Sequence, residues 1–270
     1  MSGVYRKACT RRRTTRGFTL IEMLVSMAIF LVICGSAFTL LGVSQQRYAT
    51  ESQVVNSFQE ARLGLDQIVR DVNDSGYPPP NQFEFTPQPQ SVAVSPVAWS
   101  PGYPALSTQC TIGVTCVTPW IDGMFIETNP TPQVPNSTVQ YIRYHLIGNT
   151  LYRGVFPKNG ADPYSSINDN QLVPFVQNVM NEASAAQIAQ INLAYPNMFP
   201  GGTPVPLFTY LCDSPSGPQN CTAPGVSGVP TNIRSVLITL IVATPSPDPQ
   251  TGKMRVLELT GQGSRINSFP

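Results

Sequence analysis

The first 77 residues contain no proline, and the first 17 contain no acid. All 27 prolines lie at or beyond Pro78. A stretch able to form an unbroken helix therefore precedes a region in which regular structure is repeatedly interrupted. Charge is scarce, at 11% of 270 residues, and unevenly placed. Arg6, Lys7, Arg11, Arg12, Arg13 and Arg16 crowd the start; without these six of the 16 basic residues, 10 remain against 15 acids, a formal −5 from Phe18 onward. That balance lacks the Lys and Arg excess from which phosphate binding draws its affinity, and it argues against nucleic acid as a partner. There is a single histidine, His145, on a predicted strand with apolar neighbours, where a packed or surface role is expected. No G-x-S-x-G, H-E-x-x-H, P-loop or G-x-G-x-x-G pattern occurs, so neither catalysis nor a cofactor is expected.

What the sequence does have is an apolar run. Phe18 to Val43 spans 26 residues with one charge, Glu22. As a helix it would extend about 39 Å, enough to cross a hydrocarbon core of about 30 Å. Six cations before it, against Arg47 alone between Val43 and Arg62, predict a cytoplasmic N-terminus and an exported remainder. Three readings compete. Gly35-Ser36-Ala37 could serve as a secretory cleavage site, and Cys34 as a lipid acceptor, although Ile33 is bulky for the latter. In both readings Glu22 is a liability. The third makes it functional: a carboxylate at membrane depth costs about 2.5–3.5 kcal/mol and is normally paired.

Gly17-Phe18-Thr19-Leu20-Ile21-Glu22, after a basic leader and before an apolar helix, resembles the processing motif of type IV pilins and type II secretion pseudopilins. The resemblance implies that prepilin peptidase cuts between Gly17 and Phe18 and that the new amine becomes N-methylphenylalanine. It also implies that Glu22 pairs with the N-terminal amine of a neighbouring subunit during assembly. Expected partners are the peptidase, other minor and major pilins or pseudopilins, the inner-membrane assembly platform and, before assembly, the lipid bilayer. The expected location is the inner membrane, in a single pass with the C-terminal part periplasmic or extracellular, and then a filament.

Beyond the apolar run, Val54, Phe58, Ala61, Leu65, Ile68 and Val72 recur at intervals of 4, 3, 4, 3 and 4, the stripe of an amphipathic helix. Arg62–Asp66, Asp66–Arg70 and Arg70–Asp74 are spaced for ion pairs on its other face. Gly76 and Pro78-Pro79-Pro80 should end it. The expected organisation is a leader at 1–17, a transmembrane or filament-core helix at 18–43, its amphipathic continuation at 44–77 and an exported β domain at 78–270. The fold class is α+β: a long N-terminal helix packed on an antiparallel sheet with Pro-rich loops.

Strands are expected at 139–146 and 150–156 around a Gly148-Asn149 turn, at 233–243 and 254–260, and at 123–128 and 207–211, with a helix near 181–195. Leu151-Tyr152-Arg153, Leu172-Val173 with Asn178-Val179, Phe208-Thr209-Tyr210 and the strand from Ile233 resemble, in this order, J-type minor pseudopilins and W-type minor pilins. That likeness implies a structural subunit that primes or caps a filament; a membrane-anchored adhesin using a pilin-type leader is the alternative. Cys110, Cys116, Cys212 and Cys221 fall in the exported part, where an oxidising compartment favours disulfides. Three pairings are open; placement within single loop-like segments favours Cys110 with Cys116 and Cys212 with Cys221. No zinc-knuckle spacing is present and no metal is expected. Asp162, Asn168, Asp169 and Asn170 offer hard oxygen ligands, but a solvated loop is the reading preferred.

Overall fold

The computed structural model describes residues 17–79, 92–131, 137–158, 162–167, 169–249 and 251–266. The leader before Gly17, residues 80–91 of the Pro-rich stretch and Asn168 lie outside them. One helix, α1 (Leu20–Asn73), runs for 54 residues, and the chain divides into two units, one up to Ala49 and one from Thr50.

In the first unit the helix presents apolar side chains on every face from Leu20 to Val43. Leu20, Leu24, Met27, Phe30 and Phe38 are all exposed, as suits a surface whose solvent is lipid.

In the second unit the stripe expected from the spacing becomes a buried face. Ala61, Leu65, Ile68 and Val72 enter the main core, with Val54 and Phe58 half-buried before them. The i,i+4 ion pairs expected on the opposite face do not close: none forms among Arg62, Asp66, Arg70 and Asp74. Such exposed pairs gain little and must order two long side chains. The helix instead uses Asp71, on its buried side. Asp71 Oδ2 accepts from Tyr144 Oη at 2.6 Å and from Arg153 Nε and Nη2 at 3.1 and 2.9 Å. Past Asn73 the chain turns through Gly76 (φ +76°), whose N–H donates to the Glu127 carbonyl at 2.7 Å. A positive φ suits glycine there because it carries no Cβ.

Two antiparallel sheets, rather than one, receive α1. The first has the order β1 (Val97–Ala98), β2 (Gly123–Thr128), β3 (Gln140–Ile147), β4 (Thr150–Pro157), β5 (Val173–Val176). Its β3–β4 hairpin closes with Ile147 opposite Thr150 across Gly148-Asn149. The second sheet has the order β7 (Gln219–Asn220), β6 (Phe208–Cys212), β8 (Ile233–Ala243), β9 (Val256–Ser264). Central β8 reads as a continuous apolar run because both of its faces are covered. Val236, Ile238, Leu240 and Val242 join the α1 core, while Ile241 and Ala243 join a second cluster with Ile188, Ile191 and Phe199. That second cluster is supplied by α3 (Ala185–Ala194) and the turn after it. Asn181 anchors the insertion, donating to the carbonyls of Val205 and Thr239 and accepting from the Ile241 N–H.

The outer face of the first sheet is covered by the chain between β1 and β2 and by the short helix α2 (Pro163–Ser166). Trp99, Tyr103 and Tyr141 stack edge to face there, beside a fully buried Lys158–Glu127 ion pair at 2.9 Å.

The approach of α1 to β9 depends on two glycines. A Cβ on Gly263 would lie 2.6 Å from both Cβ and Cγ1 of Val72 and 3.2 Å from the Val69 carbonyl oxygen. At Gly261 it would meet Leu65 and Val69 at 3.0 Å. Gly263→Ala should therefore force helix and sheet apart and destabilise the fold by about 1–3 kcal/mol. Denaturant unfolding of the full chain in detergent checks this; an unchanged midpoint would contradict the packing.

Candidate functional site at the N-terminal motif

Gly17, Phe18 and Thr19 lie ahead of α1 in exposed, non-helical chain. Thr19 is the residue where the helix starts. Its carbonyl accepts from the N–H groups of Glu22 and Met23 at 3.1 and 3.2 Å. Its own N–H and hydroxyl both donate to Glu22 Oε2 at 2.9 Å, and the Glu22 N–H reaches back to Thr19 Oγ1 at 3.4 Å. This reciprocal pairing is a capping box, which satisfies donors that the first turn of a helix otherwise leaves open. Its signal in the sequence is Thr19-x-x-Glu22 ahead of an apolar run, a meaning masked by the conspicuous charge of Glu22.

The same device starts α3. Ser184 N–H and Oγ donate to Gln187 Oε1, both at 2.9 Å, and Gln187 N–H reaches Ser184 Oγ at 3.4 Å. A neutral amide thus makes the bonds that a carboxylate makes at α1. The cap requires an acceptor and does not require a charge.

Residues 12–38 match the family described as the prokaryotic N-terminal methylation motif. The chain carries the N-terminal motif of the type IV pilin and pseudopilin family. No curated protein matches it. The motif indicates a precursor processed by prepilin peptidase, in a family whose members are structural rather than enzymatic. Among the described residues, α1 is the helix long and apolar enough to cross a membrane. Helix and motif together support a membrane-anchored, single-pass protein.

The four cysteines beyond α1 sit far from the motif in sequence. Cys110 is bonded to Cys116, and Cys212, at the end of β6, is bonded to Cys221 just beyond β7. The first loop is tied to the chain that follows the second, Ile112 N–H donating to the Gly228 carbonyl at 2.8 Å. Cys34 is a free thiol within α1.

No group of three or more His, Cys, Asp or Glu able to hold a metal occurs among the described residues. Of the oxygen ligands near 162–170, Asp162 and Asp169 are used otherwise. Asp162 Oδ1 caps α2 by accepting from the Tyr164 N–H, and its Oδ2 accepts from Ser100 Oγ. Asp169 forms an ion pair with Arg143.

Arg143 in turn lies 5.0 Å from the ring centroids of both Phe125 and Tyr164, beside a hollow of about 310 Å³ that His145 and Asp122 also line. His145 Nδ1 is 3.2 Å from Arg143 Nη2 and 3.7 Å from Asp169 Oδ2. Burial, and then the Arg143 guanidinium, hold the imidazole below its ordinary pKa, with Asp169 opposing.

A depressed histidine pKa means that the unfolded chain binds more protons below pH about 6.5, so stability falls as pH drops through that value towards the folded pKa. His145 is the only histidine, so His145→Gln should flatten the pH dependence of the unfolding midpoint between about pH 5 and 7. An equally steep dependence in the variant would assign it to other groups.

Proposed function

We propose that the chain is the precursor of a structural minor pilin or pseudopilin, cut between Gly17 and Phe18 and N-methylated on Phe18. The mature subunit assembles into a type IV pilus or a type II secretion pseudopilus, priming or capping the filament. Before assembly it lies in the inner membrane, its N-terminus cytoplasmic and its two-sheet unit exported. Other pilins, the peptidase and the assembly platform are its partners.

The observation that carries this reading is Glu22. A carboxylate in an apolar membrane helix costs about 2.5–3.5 kcal/mol, yet the hydrogen bonds it makes to Thr19 are also made by neutral Gln187 at α3. The charge therefore has a use beyond the cap. Cleavage after Gly17 would create an amine on Phe18, four residues before Glu22, and in a low-dielectric filament core a carboxylate and an amine from neighbouring subunits become tolerable together. The likeness to J-type pseudopilins and W-type pilins rests on segments in β4, β6 and β8, with Leu172-Val173 and Asn178-Val179 at the two ends of β5, in that order.

Glu22→Gln separates charge from cap. The variant should still be processed and remain in the membrane, while its recovery in sheared filaments drops roughly tenfold or more, as expected for a charge deprived of its partner in an apolar core. Incorporation at the level of the unaltered chain would rule out the charge-pair account.

A further inference from the structure

We propose that Thr19 is a positioning residue for the peptidase step: by capping α1 together with Glu22, it keeps the Gly17–Phe18 peptide bond outside the helix and open to attack. This rests on the proposed cleavage after Gly17.

The reaction itself is hydrolysis. Water adds across the bond between the Gly17 carbonyl carbon and the Phe18 nitrogen, leaving a carboxylate on Gly17 and an amine on Phe18. An enzyme must reach the carbonyl that is attacked and the nitrogen that leaves, and both are obstructed when the backbone is wound into a helical ladder. Were α1 one turn longer, the Gly17 carbonyl would accept the Ile21 N–H as an ordinary i to i+4 bond. In the structure the ladder begins at the Thr19 carbonyl, two residues after the scissile bond. Phe18 and the residues after Thr19 do little to stop a helix. Leu20, Ile21, Glu22, Met23 and Leu24 tolerate or favour one, and Gly17 opposes one by only about 1 kcal/mol, so a specific interaction is needed to fix the boundary at Thr19. The interaction present is the box of three hydrogen bonds between Thr19 and Glu22.

The box also explains how one short motif serves two steps. Thr19 is paired with Glu22 through oxygen Oε2 in the uncut chain, which needs only an acceptor there. The charge on the same carboxylate comes into use after the cut.

The test is the initial rate of leader removal from the full-length chain by prepilin peptidase in membranes, followed by mass. Thr19→Val keeps the branched shape but loses the hydroxyl, and its processing should slow about fivefold, the equilibrium factor of a lost N-cap. Thr19→Ser and Thr19→Asn are strong N-caps of different shape, and both should be cut within about twofold of the unaltered chain. Val at position 19 cut as fast as Thr would overturn the inference. Ser and Asn variants as slow as Val would also overturn it, because the enzyme would then be reading the threonine side chain itself. An unaltered chain left uncut after Gly17 would overturn the proposed function along with it.

Discussion

Every backbone polar group between Leu20 and Asn73 has to be satisfied by the helix itself or by a dedicated partner at its ends. In the apolar part no water replaces a missing bond, and in the part from Ala61 onward the helix surface is pressed against two sheets. The ends are consequently where this chain commits specific residues. At the start, Thr19 and Glu22 satisfy one another. At the end, Gly76 passes the chain to the Glu127 carbonyl and so into the first sheet. Between the ends, one helix changes from apolar all round to apolar on a stripe, and that change is what lets a single element be both anchor and core.

Packing in the exported unit follows from the stripe. Two sheets share α1, and each has its opposite face closed by chain that is not sheet: the Trp99–Tyr103 region for the first, α3 and its turn for the second. This gives the described chain around Trp99 and Tyr103, and the α3 insertion, a packing role. These two pieces are outer layers over sheets whose other faces pack on the helix. The Asp71–Tyr144–Arg153 group fixes the helix against the first sheet, and Gly261 and Gly263 allow it to lie close on the second.

Much of this was legible in the sequence where a pattern is long or chemically distinctive. The 3- and 4-residue spacing from Val54 to Val72 marks the buried face of α1. The run from Ile233 to Ala243 marks a central strand, and Gly148-Asn149 marks a hairpin whose register is as its turn length dictates. Less was legible where pairing is set by distant chain. β1 and β7 are two residues each and have no period to detect, and Pro174 within β5 argues locally against a strand that tertiary pairing nevertheless forms. That the strands divide into two sheets depends on where β5 ends and the chain crosses to β8, a non-local matter. The spacing of Arg62, Asp66, Arg70 and Asp74 was readable but energetically too weak to impose contacts. At the N-terminal motif the processing sequence was plain, whereas the cap was hidden by its own composition: a Glu among apolar residues reads first as a charge and only second as an acceptor for a threonine three residues away.

The account's central claim is that the exposed junction before α1 is a processing site, and that Glu22 is kept as a charge for a subunit born with a new amine beside it. Mass spectrometry of the N-terminal peptide of the protein made in its own host tests this most directly. The account predicts a mature chain that begins at N-methylated Phe18. A chain beginning near Phe38, or one carrying lipid on Cys34, would contradict it and leave Glu22 with no role beyond the cap.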